Sequence, residues 1–249
     1  MTQALASPSA AAAAAVVLKD HSAAAIGLFN NMRTPAALIG GSLVPLGILS
    51  VPSVQPDDTP TVALLKRAHV ILGVTSLLSQ VLAVTYSSIA INKLAEVEAP
   101  LTTGCAELIA QNYELAWIGT NVHFLLGLLG FGLIVGSRAY ISNNNNGSSS
   151  DGRQQRLLGR VTIGWAVAAF LQALTIVNRG IAMGHKSSSS SSAAAGRFAS
   201  NFGTLIARYL VLVYREAARG GVLAVGALVV AVFALWETIR VLFLSRKED

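Results

Sequence analysis

The sequence predicts an all-α, polytopic transmembrane helix bundle of four to five spans plus one amphipathic interfacial helix. Three observations predict it. Only 12% of the 249 residues are charged and 53% are apolar, whereas soluble domains carry about 25% charged residues; mean hydropathy is +0.59. Five stretches almost free of charge are each long enough to cross a hydrocarbon core of ~30 Å. Between the fourth and fifth, apolar and basic residues recur at steps of three and four, the period of a helix with two unlike faces.

Residues 1–33 open on MTQALASPSAAAAAAVVLK. The stretch lacks the basic start and full apolar core of a secretory signal. It is acid-poor and rich in small residues, as transit peptides are, but nearly devoid of arginine, and reads as a disordered or targeting-like segment. The bundle then occupies 34–244. Span one is Thr34–Ser53. Pro45 lies inside it, which a membrane helix tolerates when neighbours satisfy the backbone. Ala37 and Gly41 offer a small-xxx-small face for helix contact. The first loop, Val54–Ala68, holds Asp57 and Asp58 and ends in Lys66-Arg67, a pair suited to anchoring the mouth of the next span. His69, directly after it, reads as a headgroup contact.

Span two, His69–Ile91, contains no Asp, Glu, Lys or Arg. An acidic loop follows, Asn92–Glu114. Span three is Leu115–Gly136, where Gly132 and Gly136 form GxxxG and Gly127 extends the smooth face; such glycines mark close helix packing in lipid. Low-complexity loops at 141–153 and 185–196 carry an Asn run and a Ser run that cannot bury apolar surface. Span four, Val161–Asn178, lies between them.

In 197–219, Phe198, Phe202, Leu205, Ile206, Tyr209, Leu212 and Val213 form one face, and Arg197, Asn201, Thr204, Arg208, Arg215 and Arg219 the other. The expectation is a helix lying in the membrane interface, with docking on the bundle or on a partner as the alternative. Gly220-Gly221 break it. Span five, Val222–Leu244, carries Glu237 and Arg240 one turn apart, a pairing that lowers the cost of charge in lipid. Residues 245–249 are a charged tail. Loop charges do not orient the bundle by the positive-inside rule.

Several function classes drop out. Net charge is +6, but the basic residues sit at span edges, where lipid headgroups are the expected partner, and do not form the cluster that nucleic acid requires. The single cysteine, Cys105, excludes an intrachain disulfide, and no Cys-x-x-Cys exists. Gly-x-Ser-x-Gly, His-Glu-x-x-His and the P-loop are absent, so no catalytic or metal-ligating residue is assigned.

Polar side chains deep in spans are the best pointers left. At ~1.5 Å per residue, Gln80, His123 and Gln172 fall in one layer near the midplane. Two readings stay open: a hydrogen-bonded layer that fixes packing, or a cofactor site with His123 as axial ligand to a pigment, chlorophyll being the candidate. Bis-histidine haem fails, because His69 and His123 lie ~18 Å apart along the axis.

Three stretches carry a resemblance: NMRTPAALIGG at Asn31–Gly41, the second span after Lys66-Arg67, and YELAWIGTNVHFLLGLLGFG at Tyr113–Gly132. Over about the first three spans the chain resembles multi-spanning plastid membrane proteins of plants and algae. The resemblance implies a thylakoid or envelope location and carries over no site residue. The expectation is a non-enzymatic accessory, assembly or scaffold subunit, partnered by the bilayer and other membrane subunits, with a pigment-binding variant through His123. The alternative is a small transporter or channel using the polar layer.

Overall fold

The protein is described from a computed structural model, which covers residues 18–49, 53–56, 58–144, 152–187 and 201–244. The opening Ala/Ser stretch to residue 17, the Asn run from 145, most of the Ser run and the tail lie outside these residues. Among the described residues the chain is all-α. The helices are α1 (Ser22–Leu43), α2 (Pro60–Glu96), α3 (Cys105–Asn112), α4 (Glu114–Asn144), α5 (Gly152–Ser187), α6 (Phe202–Arg219) and α7 (Gly221–Ile239).

Four of these are long and apolar enough to cross a membrane, over Pro60–Glu96, Glu114–Ser142, Leu157–Thr175 and Val225–Leu242. The chain is an integral membrane protein. Helix α1 is not among the four: its first half carries Asn30, Asn31 and Arg33.

Helix starts come earlier than the apolar runs suggest. Helix α1 begins at Ser22, twelve residues before Thr34, because Asp20 supplies a local start: its Oδ1 accepts from the Ser22 N–H at 2.8 Å, relieving one orphan donor. Ser22–Arg33 are therefore helical, and Ala25 and Phe29 are fully buried against Leu108 and Ile109 of α3 and Ala90 of α2. Helix α1 ends in a π turn, Val44–Ile48. Pro45 has no N–H to continue the ladder, and the turn closes through the wider bond from Leu49 N–H to Val44 O at 3.0 Å. Helix α2 starts at Pro60, a residue pre-set for the first turn, so Lys66 and Arg67 lie within the helix and not in a loop.

The core is an up-down-up trio. Gly47 meets Gly73, and Gly40 meets Gln80 and Leu77, so α1 and α2 run antiparallel. Gly130 packs on Ser76, Gly127 on Gln80 and Gly119 on Tyr86, so α2 and α4 also run antiparallel. The glycines serve approach here: a Cβ on Gly73 would stand 2.6 Å from the Gly47 carbonyl oxygen. Two sequence expectations about these faces are corrected. On α1 the buried pair is Ala36 and Gly40, while Ala37 and Gly41 are exposed. On α4, Gly136 does receive Ala166 of α5, but Gly132 faces open space and Gly127 packs on α2.

Outside the trio, burial falls away. Half of the α4 span is buried, but only 6% of the α5 span and none of the α7 span. Helix α6 begins with a capping box. The Asn201 side chain accepts from the Thr204 N–H at 2.9 Å, and Thr204 Oγ1 accepts from the Asn201 N–H at 3.0 Å, satisfying two end groups reciprocally. Its apolar face is spent on protein: Leu205 is buried on Ile118 and Val122, flanked by Phe202, Ile206, Tyr209 and Leu212. Of the placements open to this face, the contacts show docking on the bundle: α6 packs on the first turns of α4.

Candidate functional site

Three aromatic rings from three helices converge where α6 meets the trio. Tyr86 of α2 sits opposite Gly119, whose missing side chain leaves room for the phenol ring. His123, one turn further along α4, stacks on that ring at 6.0 Å with 13° between planes. Tyr209 of α6 closes the group edge-on to His123 at 5.1 Å and to Tyr86 at 6.4 Å. The hydroxyl of Tyr209 lies 2.7 Å from His123 Nε2 and 3.3 Å from the hydroxyl of Tyr86. Beside it, an ion pair joins Arg208 to Glu114, with Arg208 Nε donating to Oε1 at 2.7 Å.

Sequence reasoning singled out Gln80, His123 and Gln172. The structure brings the first two to the α2–α4 seam. Gln80, 1% exposed, donates from Nε2 to the Phe124 carbonyl at 3.3 Å. Gln172 is exposed on α5 and does not join them. Tyr86 and Tyr209 take the places in the cluster that sequence reasoning did not foresee. Tyr209 belonged to a face assigned to lipid, and only its hydroxyl, one polar atom on that face, signalled otherwise.

Among the described residues, two buried side-chain polar atoms lack a hydrogen-bond partner: Gln80 Oε1 and His123 Nδ1. The second follows from the tautomer. If Tyr209 donates to Nε2, the ring proton sits on Nδ1 and finds no acceptor. If Nε2–H donates to Tyr209, Nδ1 is a bare acceptor. An unmet polar group in a low-dielectric interior is costly, so the cluster is a place of incomplete satisfaction.

These residues do not fit an axial pigment ligand. Ligation needs a ring nitrogen facing an open slot wide enough for a macrocycle. His123 is 9% exposed; its Nε2 is taken by Tyr209, its Nδ1 is buried, and Tyr86 stacks on its ring.

A second polar group lies at the other end of the trio. His69 is fully buried, with Nδ1 2.8 Å from Ser137 Oγ and Nε2 3.3 Å from the Leu46 carbonyl. That carbonyl, in the π turn, also accepts from Arg138 Nη1 at 3.2 Å. Lys66, 2% exposed, donates to both Asp58 oxygens at 2.7–2.8 Å and to the Ser53 carbonyl at 3.0 Å. The expectation of headgroup contacts for His69 and Lys66 is corrected: His69 ties α2 to α4 and to the end of α1, and Lys66 ties α2 to the segment that joins it to α1. Ser137 and His123 are fourteen residues apart on α4, so the two histidines stand ~21 Å apart along the axis and cannot share one iron.

The lone thiol is a packing residue. Cys105 lies half-buried against the α1–α3 contact, and burial pushes its thiol up from the ordinary value, away from the reactive thiolate. No group of three or more His, Cys, Asp or Glu with metal-binding geometry occurs among the described residues. Glu237 and Arg240 do pair, at 3.6 Å, with Arg240 64% exposed.

The fold and this site define an all-α integral membrane protein with a partly buried His–Tyr–Tyr cluster. No family model matches the chain, and neither a characterised protein nor a solved structure shows significant similarity to it.

Proposed function

We propose that the chain is a non-enzymatic membrane subunit that assembles with other membrane proteins through its α5 and α7 side, in a plastid membrane. The observation that carries this is the contrast in burial: half of the α4 span is buried and none of the α7 span. Lipid is as apolar as leucine, so a spanning helix gains specific position only from packing, hydrogen bonds and close backbone approach. Helix α7 buries no residue of its span, although its continuation Arg240–Leu244 reaches α2, and it keeps small residues at Ala227, Ala231 and Ala234, all exposed. A spare, smooth helix on a well-packed trio is what a docking subunit needs. The plastid part rests on the short stretches at Asn31–Gly41 and Tyr113–Gly132.

The test is native-gel migration from the source membranes after mild solubilisation. Co-migration with a larger complex, lost when 221–249 are deleted, is the expected result. A chain that migrates alone in its own membranes sinks the subunit reading, and a fusion protein found in a non-plastid membrane sinks the location. The transporter reading is kept as second because of the unmet Gln80 Oε1 and His123 Nδ1, which favour a small polar ligand. Solute flux in liposomes that disappears on Gln80→Leu supports it; a tight liposome removes it.

A further inference from the structure

Along the edge of the face that it commits to α4, helix α6 carries a cavity. Ala207, Arg208, Val211, Leu212 and Arg215 line a groove of about 350 Å³. Arg208 and Arg215 are seven residues apart, two turns, so their guanidinium groups bracket the groove at ~10 Å along the helix. Ala207 supplies the width and Val211, 50% exposed, the apolar floor. Arg208 spends Nε and Nη2 on Glu114 and has Nη1 to spare. Arg215 has no carboxylate in ion-pair reach among the described residues; Arg219, on the same helix, is paired with Glu216.

We infer that this groove binds the headgroup of an anionic phospholipid. The occupant follows from charge and hydrocarbon together. Two guanidinium groups favour a phosphate, which they can bind with forked, charge-assisted hydrogen bonds. Between and beside them lie Val211 and Leu210, the latter 60% exposed, a surface that suits an acyl chain and not water. The place is right as well: α6 lies between the α5 span and the α7 span and beside the α4 start, where headgroups lie. A zwitterionic headgroup brings its own cation and gains little from a groove whose unneutralised charge is Arg215, Arg208 being paired with Glu114. A lipid with net negative charge gains from each arginine.

The experiment is native mass spectrometry of the full chain in detergent, titrated with phosphatidylglycerol or phosphatidylcholine of matched acyl chains. The wild type retains phosphatidylglycerol preferentially. Arg215→Gln weakens that retention about fivefold and leaves phosphatidylcholine unchanged. Arg215→Lys, which keeps the charge, holds most of the preference. Arg219→Gln changes little, since that side chain is outside the groove. Equal retention of both lipids by the wild type overturns the site. Equal losses in Arg215→Gln and Arg219→Gln overturn it too, by showing diffuse charge attraction. Displacement of phosphatidylglycerol by millimolar inorganic phosphate makes the groove a soluble-anion site and overturns the lipid assignment.

Discussion

Replacing Tyr209 with Phe removes one oxygen and unmakes two hydrogen bonds, to His123 and to Tyr86. His123 then has neither ring nitrogen satisfied. Leaving a buried partner unmet costs about 1–3 kcal/mol, so Tyr209→Phe should destabilise the fold by that order and lower the thermal midpoint in detergent. Tyr86→Phe should cost less, because its 3.3 Å bond is longer and the His123–Tyr209 bond survives. Equal midpoints for Tyr209→Phe and the wild type would show that the cluster does not hold α6. A pH effect belongs to Asp58. The hydrogen bond from Lys66 and then the Gln55 N–H hold its carboxyl below the ordinary 3.8. A lowered folded value means that the native state favours the carboxylate, so its contribution is complete above about pH 4 and is lost as pH falls through the lowered value. Asp20 and Glu107 are lowered as well, so melting against pH should show an acid limb that Asp58→Asn makes shallower.

Helices meet here through absent side chains, so glycine substitutions sort by face. Gly73→Ala places a methyl 2.6 Å from a backbone oxygen of Gly47 and 3.2 Å from its Cα, and no rotamer change relieves it. Overpacking of this kind costs about 1–3 kcal/mol. Gly132→Ala meets nothing within 4 Å and should be neutral or slightly stabilising, since alanine is the better helix former. A melting comparison of the two variants checks the seam assignment. The same elements mark where the sequence was legible. Four of the five spans were, because helices that cross lipid must be long and nearly uncharged. The contact face of α1 was not: Ala36–Gly40 and Ala37–Gly41 have the same spacing on faces 100° apart, and only the partner helix chooses. Depth arithmetic gave the heights of Gln80, His123 and Gln172 but not their azimuths, and Gln172 points elsewhere. Helix α6 was legible as amphipathic, while the fate of its apolar face depended on room beside α4.

At the scale of the molecule, the protein divides into a trio locked at both ends and a lightly packed flank. Phe29 on Trp117 at 5.6 Å and the His–Tyr–Tyr cluster fix one end; Lys66–Asp58 and His69–Ser137 fix the other. Deleting 221–249 removes a helix whose span has no buried residue. The remaining chain should therefore melt within a few degrees of the intact protein while losing association with its neighbours. A large drop in melting temperature would show that α7 supports the bundle.

Helices α2, α4 and α5 contain 37, 31 and 36 residues, or about 55, 46 and 54 Å of rod. A bilayer interior accounts for roughly 30 Å of that, and tilt shortens the projection only modestly. Rigid stumps therefore stand clear of the detergent belt on a particle of 25.9 kDa. For imaging, that gives an otherwise featureless small target landmarks by which its projections can be aligned, and a continuous helix onto which a fiducial domain can be fused in register.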